Sequence, residues 1–182
     1  IYSVKVIRWK RPVSQLPYES LMNVNFNQNS KVYSVKGKAV FFKKGVHKVN
    51  ENIIIPKGFA VSFEPGTELI FNNYKFFLSY SAVQMKGTKE EPIKISSVDK
   101  TANGFTVLQA KNQSYMEHVV FEGLNTFNNF GWTLTGAVNF FESDVKITNC
   151  VFNNNNCEDG LNIVHSTFEL KNSSVSNTFS DG

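Results

Sequence analysis

The sequence contains no uninterrupted apolar run approaching the roughly 18 residues a membrane helix needs, so no helical membrane span is expected. It opens at Ile1 without an initiating Met or a signal peptide, so it is expected to start partway through a longer polypeptide, with a domain upstream. Cysteine is scarce. Cys150 and Cys157 are too few for a disulfide framework, and no CxxC spacing offers a metal site. No two His or Cys stand at the usual zinc-ligand spacing. No GxSxG, P-loop or dinucleotide glycine fingerprint is present, which removes the commonest hydrolase and nucleotide chemistries. Charged residues make up only 19%, against 41% hydrophobic, which excludes long disordered tails.

What is present favours β structure. Phe occurs 17 times, Val, Ile and Asn are frequent, and runs of helix-favouring Ala or Leu are missing. The net charge of +4 conceals a split: residues 1–111 are basic and residues 112–182 are acidic, with only Lys146 and Lys171 as cations in the second part. A basic half can meet an anionic surface, or it is a solvated Lys-rich face or one docked on an acidic neighbouring domain. Nucleic acid is not the expected partner, because the aromatics are spaced as core residues and are not interleaved with the lysines.

An internal repeat organises the second half. Ser143–Asn154 matches Ser166–Asn177 at an offset of 23, with Val145 on Phe168, Ile147 on Leu170 and Phe152 on Val175. Asn149 falls on Asn172 and Asn154 on Asn177. An earlier copy, Met116–Phe121, matches Ile147–Phe152 at an offset of 31, and the surplus is placed as a loop over 125–135. Short alternating strands at this period are what one coil of a parallel solenoid requires, since each coil buries its apolar face only against the next. Matched residues then lie about 4.8 Å apart. Asn149 over Asn172 reads as a structural asparagine ladder. Cys150 falls at an inward position, as a buried free thiol.

Upstream, Ile55-Pro56-Lys57-Gly58 and Glu64-Pro65-Gly66-Thr67 separate strand-like triplets by turns. From Gly45-Val46-His47 through those turns to Lys86-Gly87-Thr88-Lys89-Glu90-Glu91-Pro92-Ile93, the sequence resembles the coils of bacterial right-handed parallel β-helix proteins. It is similar to the pectate-lyase-like superfamily at large, and to NosD-type and CotH-associated repeat regions. The resemblance covers roughly residues 45–182 and implies an all-β, right-handed parallel β-helix. Its turns mark coil geometry, not a site. Residues 1–44 do not fit the repeat and are expected to be a strand-rich cap or the end of an upstream domain. Ser180-Asp181-Gly182 stands in register with Glu158-Asp159-Gly160, so further coils are expected beyond it.

Several constellations offer chemistry. Asp159 and Asp181 lie 22 residues apart, about one coil, with Glu158 beside the first. Stacked carboxylates repel unless a cation bridges them or one stays protonated. The corner therefore reads as a plain Asp-Gly turn, as a Ca²⁺ site, or as a pair of acids acting on a glycoside. Glu142 and His165, matched at an offset of 23, read as a surface pair or as a base with its orienting partner. His47 and His118 have no evident partners, and His118 aligns with Asn149. Phe127, Phe130 and Trp132, set among Asn128 and Asn129, read as a carbohydrate platform or as a loop folded back onto the coil. The resemblance would bring an Arg or Lys base to a lyase site. Arg8 and Arg11 precede the coils, however, and Lys146 and Lys171 stand near neither Asp turn.

The leading expectation is a non-catalytic extracellular or cell-surface module presenting a face for glycan or protein, in a secreted, periplasmic or surface location. A polysaccharide lyase, hydrolase or epimerase centred on Asp159 and Asp181 is the alternative. A structural module within a larger enzyme is the third.

Overall fold

In the computed structural model, which describes residues 26–129 and 131–179, the chain winds as a parallel β-solenoid of about six turns. No helix occurs among the described residues. After β1 (Ser34–Lys36), the first coil runs β2 (Ala39–Phe42), β3 (Gly45–Val49) and β4 (Ile53–Ile55). The second is β5 (Ala60–Phe63), β6 (Thr67–Phe71) and β7 (Phe77–Ser79), and the third is β8 (Val83–Lys86), β9 (Ile93–Ser96) and β10 (Phe105–Leu108). The fourth holds β11 (Ser114–Glu117), β12 (Val119–Glu122), a hairpin of β13 (Phe127–Asn129) and β14 (Trp132–Leu134), then β15 (Gly136–Phe141). β16 (Val145–Thr148), β17 (Val151–Asn153) and β18 (Asp159–Val164) form the fifth; β19 (Phe168–Lys171) and β20 (Ser174–Ser176) begin the sixth.

Three parallel sheets result: β2-β5-β8-β11-β16-β19 with β1 added antiparallel at its edge, β3-β6-β9-β12-β17-β20, and β4-β7-β10-β15-β18. Because β2 stacks in register on β5, the solenoid begins at Ala39, six residues ahead of the boundary placed at Gly45. The turns differ in length. Ala39 faces Ala60 and Val61 faces Val83, whereas Met85 faces Met116 and Met116 faces Ile147 at 31 residues. Ile147 faces Leu170 at 23.

Alternation decides which side chains enter the core. Phe42, Phe63, Met85, Met116 and Ile147 form one inward ladder, all buried. Phe77 stacks on Phe105 at 4.2 Å with an interplanar angle of 1°, and Phe121 on Phe152 at 5.2 Å and 4°. Stacking of identical ring types follows from in-register coils, which hold the rings one strand spacing apart. Phe168 and Leu170, at the same ladder positions as Val145 and Ile147, are exposed because no further coil of the described chain covers them. At the other end Tyr33 packs against Phe42, and Phe26 against Tyr33 and Phe59. Burial and the nearby Glu51 carboxylate push the Tyr33 phenol up to about 12, against the hydroxyl of Ser30.

Three corners are made by residues in the left-handed region. Between the first and second sheets these are His118, Asn149 and Asn172; after the second, Gly123, Asn154 and Asn177; after the third, Gln109, Glu142 and His165. Asn is the non-glycine residue that adopts this conformation most readily, which explains why it recurs at the first two corners.

Cys150 and Cys157 are buried and free. Burial pushes each thiol up to about 11, although hydrogen bonds to nearby backbone groups oppose it. Both should therefore stay silent toward a thiol reagent at pH 8 in the folded chain and react together on unfolding. Rapid modification of either thiol in the native state would contradict this burial.

Candidate functional site

Asp159 opens β18, where its register partner in the coil before is Gly136, not an acid. Its carboxylate accepts a hydrogen bond from Thr135 Oγ1 at 2.6 Å, and Asn162 Nδ2 in turn donates to that hydroxyl. Glu158 is exposed and Asp159 half-buried. Asp181 lies outside the described residues. Among the described residues no three His, Cys, Asp or Glu side chains come together as a metal-ligand set. What is described of the corner is thus a Thr-Asp turn contact.

Glu142 and His165 do share one corner in successive coils, but their contacts diverge. Glu142 Oε2 accepts from Gln109 Nε2 at 2.8 Å, whereas the His165 ring packs edge-on against Phe141 at 6.0 Å. His47 Nε2 lies 2.8 Å from the Lys43 carbonyl. His118 continues the asparagine corner: Asn149 Nδ2 is 3.3 Å from its Nε2. Asn172 stacks above Asn149 by register but is exposed. A second amide stack runs from Asn156 Nδ2 to Asn125 Oδ1, and from Asn125 Nδ2 to the Lys100 carbonyl. Lys146 and Lys171 both reach Glu169 and so neutralise an acid of the last turn.

The 125–135 excursion folds back. Phe127 is 1% exposed, meets Phe76 at 5.2 Å and Trp132 at 5.4 Å, and joins Ile54, Leu78, Tyr80, Leu108 and Leu134 in a second apolar cluster. This cluster coats the outer face of the third sheet, whose strands β4, β7, β10 and β15 are consequently buried on both sides. Trp132 is half-buried, Asn128 is exposed with its carbonyl accepting from Asn103 Nδ2, and Phe130 lies outside the described residues. The aromatic faces here meet one another, because an apolar sheet surface was available to bury them.

The feature that motif reading missed is a groove of about 660 Å³ at the corner between the third and first sheets. Corner length creates it. The connection from β7 to β8 is only Tyr80-Ser81-Ala82, while those before and after it span Pro56–Phe59 and Gln109–Gln113. The short corner is therefore recessed between two longer ones. Ser81 ties floor to wall, its hydroxyl donating to the Pro56 carbonyl at 2.7 Å and accepting from the Phe59 N–H at 3.0 Å. Lys57 and Phe59 stand on one wall, Lys111 and Asn112 on the other, with Lys38 at the margin. Among the described residues no acid lines the groove. Among the described residues Lys38, Lys57 and Lys111 make no ion pair. The basic balance of residues 1–111 carried this signal in the sequence, but the convergence of three lysines from separate turns did not show there.

No protein family, curated protein or solved structure matches the chain. Its class is therefore defined by its coils: a parallel β-solenoid. No helix of the described residues is long and apolar enough to cross a membrane.

One further loop is ordered by a carboxylate. Partial desolvation pushes the Asp99 carboxyl up, but is outweighed by hydrogen bonds from the Thr101 hydroxyl and N–H, the Asn73 N–H and the Ser97 hydroxyl, which hold it at about 2. A depressed carboxyl stabilises the fold above its ordinary value of 3.8, and that contribution is lost as pH falls through about 2. The melting temperature of Asp99→Asn should accordingly fall less between pH 4 and pH 2 than that of the parent. Parallel melting curves over that interval would show that the loop does not use the charge.

Proposed function

We propose that this chain is a non-catalytic β-helix module of a secreted, periplasmic or cell-surface protein, and that it binds a glycan or protein on its outer surface. The observation that carries this reading is the groove beside Ser81: an open hollow of ligand size, with a half-buried ring and amide side chains on its walls. The acids singled out for catalysis offer less. Asp159 is engaged by Thr135 and Glu142 by Gln109. The turn phrases at Pro56-Lys57-Gly58 and Pro65-Gly66-Thr67 also resemble those of the pectate-lyase-like superfamily and of NosD-type or CotH-associated repeats, and they mark coil geometry rather than a catalytic site.

The test is to present the protein with immobilised neutral and acidic polysaccharides while assaying the same mixtures for unsaturated products and new reducing ends. Retention without turnover is the expected result. Turnover of any polysaccharide, abolished by Asp159→Asn, would replace this reading with the enzymatic one.

A further inference from the structure

We infer that the groove takes an acidic glycan, a chain bearing carboxylate or sulfate groups, held by Lys38, Lys57 and Lys111. This deepens the binding reading above and rests on it.

The argument begins with what the lysines lack. Elsewhere on the molecule cations near acids find them: Lys44 pairs with Glu91, and Lys146 and Lys171 converge on Glu169. In the groove three exposed ammonium groups share one concave surface, with no carboxylate of the described residues in its lining. Like charges gathered in a hollow repel, and a low-dielectric wall focuses their field, so an anion relieves a cost already present in the free protein. The corner is basic only there. In the next two coils the position of Lys111 is occupied by Asp144 and then Thr167, and that of Gln109 by Glu142 and then His165.

The neutral part of the lining selects a sugar over a bare anion. Phe59 offers a half-buried ring, and Gln109 and Asn112 offer amides that both donate and accept, matching hydroxyl groups flanking a charged substituent. A single ring does not provide the row of stacking platforms that a nucleic-acid strand uses. The lysines come from separate turns, so a chain lying along the corner meets them in succession. A polymer with repeated charges thereby engages more than one at a time.

Three forms of one backbone separate the contributions: dextran, carboxymethyl-dextran and dextran sulfate, with polyglutamate as an acidic chain without sugar. Equilibrium affinity should be at least tenfold greater for one of the charged dextrans than for dextran or polyglutamate. It should fall at least tenfold when salt rises from about 50 to about 500 mM. Lys57→Ala with Lys111→Ala should weaken it at least tenfold, while Lys57→Arg with Lys111→Arg and the control Lys89→Ala, outside the groove, leave it within threefold. Both groove lysines are exposed and make no ion pair among the described residues, so circular dichroism should show the double variant folded. Equal binding of neutral dextran, unaffected by the double alanine change, would overturn the acidic inference and leave the glycan reading standing. Polyglutamate bound as tightly as the charged dextrans would also overturn it and favour a protein partner. Binding of none of the four would count against both readings of the groove.

Discussion

Phe105→Ala should destabilise the folded chain by about 3–5 kcal/mol, the range for removing a large buried aromatic. Phe105 is fully buried, stacks on Phe77 at 4.2 Å, meets Phe121 edge-on at 5.3 Å, and stands in register with Val138 of the next coil. In a solenoid the vacated space cannot be closed by a neighbouring element sliding in. The coils above and below are held by their own ladder hydrogen bonds at about 4.8 Å, so the cavity persists. Phe179→Ala is the matched control: that ring is 83% exposed, and its loss should change stability by no more than about 0.5 kcal/mol. Urea unfolding of both variants decides the matter. A loss at Phe105 below about 1 kcal/mol would mean that the coils relax around the gap, and the rigid-stack account would fail.

Gly123→Ala should cost about 2 kcal/mol or more, a large effect for a single methyl group. The residue turns the corner after β12 with φ +72°, where a Cβ costs about 1–2 kcal/mol. Conformation alone does not set the requirement, because Asn154 and Asn177 occupy the same corner in later coils at φ 54° and 53°. What differs at Gly123 is the carbonyl of Ser97 in the coil before, against which an added Cβ would collide. The backbone must move for any side chain to fit. The reciprocal change, Asn154→Gly, should cost no more than about 1 kcal/mol, reflecting chain entropy and the bond from Asn154 Nδ2 to Glu122. Equal losses at the two positions would show that corner conformation, and not the Ser97 contact, selects glycine.

The fold was legible because a solenoid writes its period into the chain. The pairs Val145 with Phe168, Ile147 with Leu170 and Phe152 with Val175, matched by residue type alone, are register partners in the sheets. So are Met116 with Ile147 and Phe121 with Phe152. Less legible was the extent of the coils. Ala39–Phe42 reads like any strand, and only its pairing with β5 makes it part of the first turn. The aromatic excursion was placed correctly in the chain, yet whether its rings faced solvent or sheet depended on an apolar surface formed by Ile54, Leu78 and Leu108, up to 80 residues away.

The sequence by itself determined the architecture, the Asn corners, the inward place of Cys150 and the asymmetry of charge, because each depends on local alternation or on a repeated offset. Tertiary structure alone decided the surface. The two 31-residue turns, the burial of Phe127 and the recess over Ser81 arise from comparing connections in adjacent coils, and no single stretch of chain contains that comparison. Lys38, Lys57 and Lys111 are ordinary exposed lysines when read in order. They become a site only because winding the chain brings three separate turns to one corner, where their fields add.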